Sequence, residues 1–297
     1  MSLVIGRITY LPNSEVRTKR FEASRFQYDW LCKSLPNEKK LSVCQAYASD
    51  ELPGDVFVAL DEGIGPASAR NIILEWFYAS DYDWLFLCDD DTIIDDKYSP
   101  MNFIAELSNN IDKFKELDAI SAVEPEYHPY KTLNFKDKGN LTHYKFEPRE
   151  LNSGSATSFI RNINKYYGKK VYYPEIDART GEGREDMEFL FAWLKEGLNW
   201  YTLDTLIRKS LCFDKSSLFG TDTKARDKLL MGCLDRICER YADDGLMRET
   251  NGKITWRNFN ERYNKSKKLL YIPRETPIEF EPNVIPKEKQ DLTNNLF

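Results

Sequence analysis

The chain has 297 residues, 41% of them hydrophobic and 13% aromatic, with a net charge of −6. That balance supports one large domain, or a core with a smaller appendage, and excludes a disordered acidic protein. No apolar run approaches the ~18 residues of a membrane span, and the first residues lack the apolar stretch of a secretory signal. The six cysteines form no Cys-x-x-Cys pair, which argues against a zinc ribbon or a disulfide scaffold, so a reducing cytoplasm and no membrane partner are expected.

The charge is unevenly placed. Residues 1–40 carry +4, residues 41–126 carry −15 and residues 127–297 carry +5. The acidic segment centres on an apolar strand ending in three aspartates, which suits a cation better than a plain solvated surface. The overall acidity argues against indiscriminate nucleic-acid binding.

In chain order, Leu3–Tyr10 is strand-like. Glu22–Lys33 has helical spacing at Phe26, Trp30 and Leu31. Leu41–Tyr47 and Asp55–Leu60 are further strands. Pro66–Ala79 reads as an amphipathic helix with Ala69, Ile72, Ile73, Trp76 and Phe77 on one side. Trp84–Cys88 is a continuous apolar strand. Ser99 and Pro100 open a helix carrying Phe103, Leu107, Ile111 and Phe114. Asp118–Val123 is a strand, 124–152 a polar loop or hairpin, and order resumes at Thr157–Ile160. Glu185–Lys195 is a helix stopped by Gly197, Trp200–Leu203 a strand, and Thr221–Tyr241 a helix. From Pro273 the chain reads as an extended tail. Alternating strands and helices predict an α/β sheet covered on both faces.

Three segments carry chemistry. In Trp84–Asp91 a buried strand delivers Asp89, Asp90 and Asp91 to its C-terminal end, where open α/β sheets place ligands. With a side-chain period of two, Asp89 and Asp91 are expected on the same side. Crowded carboxylates are tolerable around a divalent cation, and hard oxygen ligands select Mg²⁺ or Mn²⁺, which commonly hold a diphosphate as well. Upstream, Gly63-Ile64-Gly65 leads into Pro66-Ala67-Ser68-Ala69-Arg70-Asn71 and opens a helix. Its free N–H groups and Arg70 suit a phosphate, or the segment is an ordinary strand-to-helix turn. The third glycine of a dinucleotide fingerprint is missing. Downstream, Gly181-Glu182-Gly183-Arg184 runs into Glu185-Asp186 at a helix start. These acids either complement the helix dipole or supply a base to an acceptor hydroxyl.

The ordered triple of Ala-Arg-Asn, a strand ending in Asp-Asp-Asp and a glycine loop ending in Glu-Asp resembles the A-type (GT-A) nucleotide-sugar glycosyltransferases, especially family 2, over residues 3–205. The resemblance implies a GT-A nucleotide-binding sandwich with a mixed, mostly parallel sheet. It implies a catalytic core over 1–205, with the donor and metal site in 55–95 and acceptor-side loops in 124–190. A helical C-terminal extension over 206–272 and a tail over 273–297 would follow. It further implies Mn²⁺ or Mg²⁺ on Asp89 and Asp91, and a nucleotide-sugar donor, expected as a UDP-sugar, beside Thr9, Arg70, Asp89, Asp90 and Gly154. Asp186 would be the catalytic base, with Glu185 as its companion. Many family members add a later histidine to the metal. This chain has only His128 and His143, both before the Glu-Asp pair, so Asp214 is the nearest substitute.

The C-terminus, Gln290–Phe297, resembles the short peptides by which bacterial and phage replication proteins dock on sliding clamps, with Leu292, Leu296 and Phe297 as anchors. A terminus folded onto its own core is the plain alternative. Lys165, Lys169 and Lys170 among Tyr166, Tyr167, Tyr172 and Tyr173, and Lys265, Lys267 and Lys268 near Tyr271 and Arg274, either suit phosphates and an unstacked base or are solvated surface lysines beside core tyrosines. With the resemblance to phage DNA glucosyltransferases, these imply a phage DNA-modifying glycosyltransferase acting on a hydroxymethylated base, or a sugar already on it, in double-stranded DNA. The runners-up are a family 2 polysaccharide glycosyltransferase, a haloacid-dehalogenase-like phosphatase using Asp89-Asp90-Asp91-Thr92, and a non-enzymatic nucleotide-binding or clamp-associated module.

Overall fold

The computed structural model describes residues 2–11, 16–94, 117–123, 157–174, 185–198, 200–210, 232–233, 235–244, 246–248 and 254–256. Eight strands form one sheet: β1 (Leu3–Tyr10), β2 (Lys39–Gln45), β3 (Val56–Leu60), β4 (Trp84–Asp89), β5 (Thr92–Ile94), β6 (Ala119–Val123), β7 (Thr157–Arg161) and β8 (Tyr201–Ser210). Their order is β3-β2-β1-β4-β7-β6-β8-β5. Strands β3, β2, β1 and β4 run parallel, as do β6 and β8. Strand β7 is antiparallel to both its neighbours, and β5 is antiparallel to β8. The sheet is therefore mixed and mostly parallel.

The centre is apolar because it is covered twice. Val4, Ile5, Leu85, Leu87 and Cys88 have no exposure. Helix α2 (Pro66–Tyr78) packs Ile73, Leu74 and Phe77 on one face. Gly6 of β1 faces Ile73, and a Cβ built on it would lie 2.5 Å from Ile73 Cγ2 and 2.9 Å from Leu85 Cδ1. Only glycine lets α2 sit this low. A short α3 (Ile163–Tyr167) and α4 (Glu185–Lys195) complete this side, with Tyr173 stacked on Phe189 at 4.1 Å.

The other face carries α1 (Arg17–Ser34), and here the sequence misleads. The spacing of Phe26, Trp30 and Leu31 predicts an apolar face. The helix does bury Leu31, with Ala23, but the rest of its inward side is Arg20, Ser24 and Gln27, and Phe26 and Trp30 are half-buried. The cause is Arg7, fully buried on β1 next to Gly6 and on the opposite face. Its guanidinium donates to Gln27 Oε1 and to the Ser24 carbonyl, each at 2.7 Å. A buried arginine must be surrounded by acceptors, so the helix lying over it turns a polar face inward.

Predicted and observed strand limits agree within a few residues for β1 to β4, β6 and β7. The strand expected at Trp200–Leu203 runs on to Ser210. Strand β5 and a hairpin of β9 (Leu246–Arg248) and β10 (Ile254–Trp256) were not expected from periodicity. The helix expected over Thr221–Tyr241 is helical at 235–240. The helix expected after Ser99-Pro100, the 124–152 loop and the tail from Pro273 lie outside the described residues.

Candidate active site

Strands β2 and β3 lie on one side of β1 and β4 on the other, so sheet growth reverses between β1 and β4. At such a reversal the connections leave to opposite faces and open a crevice at the carboxyl ends of the strands. Ile8 of β1 is in register with Asp89 of β4, which places Thr9 and the three aspartates at that crevice.

The first half of the site lies on the α1 side. Thr9 Oγ1 donates to Asp90 Oδ2 at 2.6 Å, and Arg20 Nη2 donates to Asp90 Oδ1 at 2.9 Å. Arg20 Nη1 lies 3.7 Å from Asp91 Oδ2. Tyr47 shares hydrogen bonds with the Thr9 hydroxyl and, at 2.9 Å, with Ser24 Oγ. Tyr47 is brought there by Ala46, whose φ of 58° is unusual for a residue with a side chain. The Ala46 amide bonds the Leu60 carbonyl at 2.8 Å and its carbonyl accepts from Arg17, which also binds the Leu11 carbonyl. Arg17 thus fastens the turns that follow β1 and β2. Burial, with Asp90 beside it, pushes the Tyr47 hydroxyl up to about 12, so it stays neutral.

The second half lies on the α2 side and centres on Arg70. Its side chain is 2% exposed. Nη2 donates to Asp89 Oδ1 at 2.8 Å, while Nη1 donates to Glu185 Oε1 at 2.8 Å and to Asp186 Oδ1 at 3.0 Å. The guanidinium carbon lies 5.0 Å from the Tyr173 ring centroid. Asn71, the next residue, exchanges two 2.8 Å hydrogen bonds with the Tyr173 backbone and so holds that ring in place. One arginine therefore gathers carboxylates from the end of β4 and the start of α4.

The carboxylates are unequal. Burial, then the neighbouring Asp90, raises Asp91 to about 7 against the pull of Arg20. Burial and the adjoining Glu185 charge hold Asp186 well above the ordinary carboxyl range. Burial opposes ionisation of Glu185 too, but Arg70 outweighs it and Glu185 is lowered. The pair thus divides into an ionised Glu185 and an Asp186 that takes up a proton readily.

Of the residues read from sequence, Arg70, Asp89, Glu185 and Asp186 come together, and Thr9, Asp90 and Asp91 form the adjoining cluster. Asp89 and Asp91 do not share a face. The strand ends at Asp89, the turn at Asp90–Asp91 breaks the alternation, and the two carboxylates pair with arginines on opposite sides of the sheet. Arg70, read as suited to a phosphate, has three carboxylate partners, and its Nε has no hydrogen-bond partner. Gly154 and Asp214 lie outside the described residues, as do Leu292, Leu296 and Phe297. Among the described residues no three His, Cys, Asp or Glu side chains form a ready-made metal cluster. The donor chemistry nevertheless fits a hard cation. Asp89 keeps a second oxygen beyond its bond to Arg70, and Asp91 meets Arg20 at the longer distance of 3.7 Å.

The basic cluster is dispersed. Lys165 pairs with Asp83 at 2.9 Å, Lys170 with Glu75 at 3.2 Å and Lys169 with Glu196 at 3.4 Å. Tyr173 is buried against Arg70. Asp83 precedes β4 and Asp89 ends it, so the Lys165 end lies roughly 20 Å from the carboxylates at ~3.3 Å per residue.

Sequence reasoning missed Arg20, Ser24 and Tyr47, and read Tyr173 as a base-stacking ring where the structure sets it beside Arg70. A signal existed for the first two. Arg20, Ser24, Gln27 and Leu31 recur at helical spacing, a mostly polar stripe on a helix that must pack on a sheet.

No protein-family model and no curated protein sequence matches the chain. It is similar in structure to a mannosyltransferase, PcManGT from Pyrobaculum calidifontis in complex with GDP-Man and Mn²⁺. That likeness has 13% identity, covers 82% of this chain and 64% of that one, and has a TM-score of 0.48. It is also similar to glucosyl-3-phosphoglycerate synthase from Mycobacterium tuberculosis in complex with Mn²⁺, UDP-glucose and phosphoglyceric acid, at 10% identity, 80% and 79% coverage and TM-score 0.43. A third is TarS of S. aureus, at 14% identity, 70% and 36% coverage and TM-score 0.42. The chain spans less than two-thirds of the length of the mannosyltransferase and of TarS.

Proposed function

We propose that the chain is a glycosyltransferase that moves a sugar from a nucleotide-sugar, taken as a UDP-sugar, to an acceptor hydroxyl. The observation that supports this best is the gathering by Arg70 of Asp89 with Glu185 and Asp186, beside Asp90 and Asp91, at the crevice between β1 and β4. Asp89 and Asp91 would hold Mn²⁺ or Mg²⁺, which when bound supplies a Lewis acid for the leaving diphosphate. Thr9 and Arg20 fix Asp90 so that the turn bearing these aspartates stays in place. Asp186 takes the proton from the acceptor hydroxyl as its oxygen bonds to the anomeric carbon. The bond from that carbon to the diphosphate oxygen breaks, its electron pair leaving with the nucleotide. An attack from the opposite face inverts the anomeric centre. The place of Asp186 at the start of α4, beside Glu185 and within reach of Arg70, suits this role.

For the acceptor we propose a hydroxymethylated base in phage DNA, with the tail at Gln290–Phe297 docking on a replication clamp. The +5 charge of residues 127–297 and the Leu-Phe terminus support this. A glycan acceptor is favoured by one observation. Lys165, Lys169 and Lys170 are each tied to an acid, and the Lys165 end lies opposite the site, so these three offer no free basic track to it. A panel of nucleotide sugars with plain DNA, hydroxymethylated DNA and oligosaccharides, read by mass spectrometry with and without chelator, tests both readings. A mass gain of one sugar on hydroxymethylated DNA alone supports the first. Transfer to no acceptor, with no donor hydrolysis, overturns the function.

A further inference from the structure

The first turn of α4 carries three acids, and two of them meet Arg70. The third, Glu188, has no solvent exposure and belongs to a separate cluster. Arg236 Nη2 donates to Glu188 Oε2 at 3.1 Å, and Arg240 Nη1 donates to Oε1. Tyr241 Oη donates to the Glu188 carbonyl at 3.4 Å, and its ring lies 5.7 Å from Phe191. Ile237 and Tyr241 join the same core as Phe189 and Trp193. Residues 48 and 52 positions further along the chain thus grip the helix that bears the acid pair.

Apolar packing is non-directional, so Phe189, Leu190 and Trp193 leave α4 some freedom to turn or slide. Each residue step along a helix is ~100° and ~1.5 Å, so a fraction of one step would move Asp186 away from Arg70. Two arginines on the two oxygens of one buried carboxylate are directional and fix both rotation and height.

We infer that Glu188, Arg236 and Arg240 are positioning residues, through which the segment 235–241 holds α4 where Glu185 and Asp186 meet Arg70. This rests on the glycosyltransferase reading for its kinetic test. Arg240 is the residue to change, because its side chain is 39% exposed and Arg236 would still pair the buried Glu188. In the full chain, Arg240→Gln should stay folded at the assay temperature and leave the donor KM within about twofold. Its kcat should fall about tenfold to a hundredfold, as expected for displacing a catalytic group by a fraction of an ångström to 1 Å. Arg240→Lys, which keeps a donor and a charge, should restore most of kcat. Amide hydrogen exchange at residues 185–190 should quicken in Arg240→Gln while that of β1 and β4 stays unchanged. Unchanged kcat, a parallel fall in kcat and melting temperature, or no recovery with Lys would overturn the inference while the proposed function stands. If the wild-type chain transfers no sugar from any donor, the proposed function fails. Amide exchange then decides the positioning role, and unchanged protection at 185–190 overturns it.

Discussion

Replacement of Arg70 by Met separates a structural counter-ion from a residue that binds substrate. Met keeps much of the stem volume and removes the charge. The change leaves Asp89, Glu185 and Asp186, with side chains 27%, 13% and 18% exposed, without the cation that all three share. Breaking a buried ion pair by removing one partner costs about 3–5 kcal/mol. Three partners are orphaned here, but each keeps some contact with water, so about 4 kcal/mol is expected at pH 7. For a chain of this size that lowers the melting temperature on the order of 10 °C. The pH dependence has a definite sign. Glu185 is lowered in the folded protein, so its contribution is present above its unfolded value of about 4.3 and lost as pH falls below it. Arg70→Met removes that contribution, so its deficit should be widest at pH 7–8 and narrow toward pH 4. Urea unfolding from pH 4 to 8, followed by fluorescence of the buried Trp84, Trp193 and Trp200, reads this directly. A deficit below 1 kcal/mol at pH 7, or one independent of pH, refutes the counter-ion argument.

Four further outcomes are expected. Gly6→Ala should cost about 1–3 kcal/mol in urea unfolding, because its Cβ would overlap the buried Ile73 and Leu85 side chains. Burial opposes ionisation of Asp83, but hydrogen bonds from Lys165, Tyr166 and Ser2 hold it well below the usual carboxyl range. Asp83→Asn should therefore cost about 1–3 kcal/mol at pH 7, and the difference from wild type should close as pH falls below about 4. Asp89→Asn should abolish most donor binding by calorimetry, whereas Asp186→Asn should leave it within a few-fold and cut turnover; equal loss of binding in both would merge the two roles. Deleting residues 290–297 should spare activity on short oligonucleotides and reduce it on long DNA carrying a loaded clamp; equal loss on both would make the tail part of the core.

Most of the sheet was legible because its strands are short apolar runs between turn residues, and burial on both faces leaves such runs little choice. Helix α4 was legible to the residue because Glu185 opens it and Gly197 follows it. Helix α1 was found, and Leu31 of its expected face is buried, but Arg20, Ser24 and Gln27 share the inward side with it while Phe26 and Trp30 are only half-buried. Periodicity assumes that the inward side is apolar, and that assumption fails when the strand beneath carries a buried arginine. Nothing local to Arg7 announces its burial. Only the pairing of β1 between β2 and β4 makes it interior, and Ser24 and Gln27 then become the side that must face in.

The carboxylates of the site were legible for a similar reason, since a strand that ends in three acids delivers them to the carboxyl end of the sheet. Their partners were not. An aspartate on a period-of-two strand has a predictable side only while the strand lasts, and β4 ends at Asp89. The charge blocks along the chain did hold the missing information in coarse form. The acidic block from 41 to 126 is answered in the fold by cations from both flanking blocks. Arg20 reaches Asp90, and Arg17 reaches Glu51, from the first block. Lys165 reaches Asp83, and Lys170 reaches Glu75, from the last. Arg70, the first cation the acidic block contains, pairs with three carboxylates. Lys165, Lys169 and Lys170 of the last block are thus drawn into pairing with acids, and a lysine already paired is a weak claimant for a phosphate. Composition alone counts such lysines as a basic surface, and only topology shows that their counter-charges are already in place.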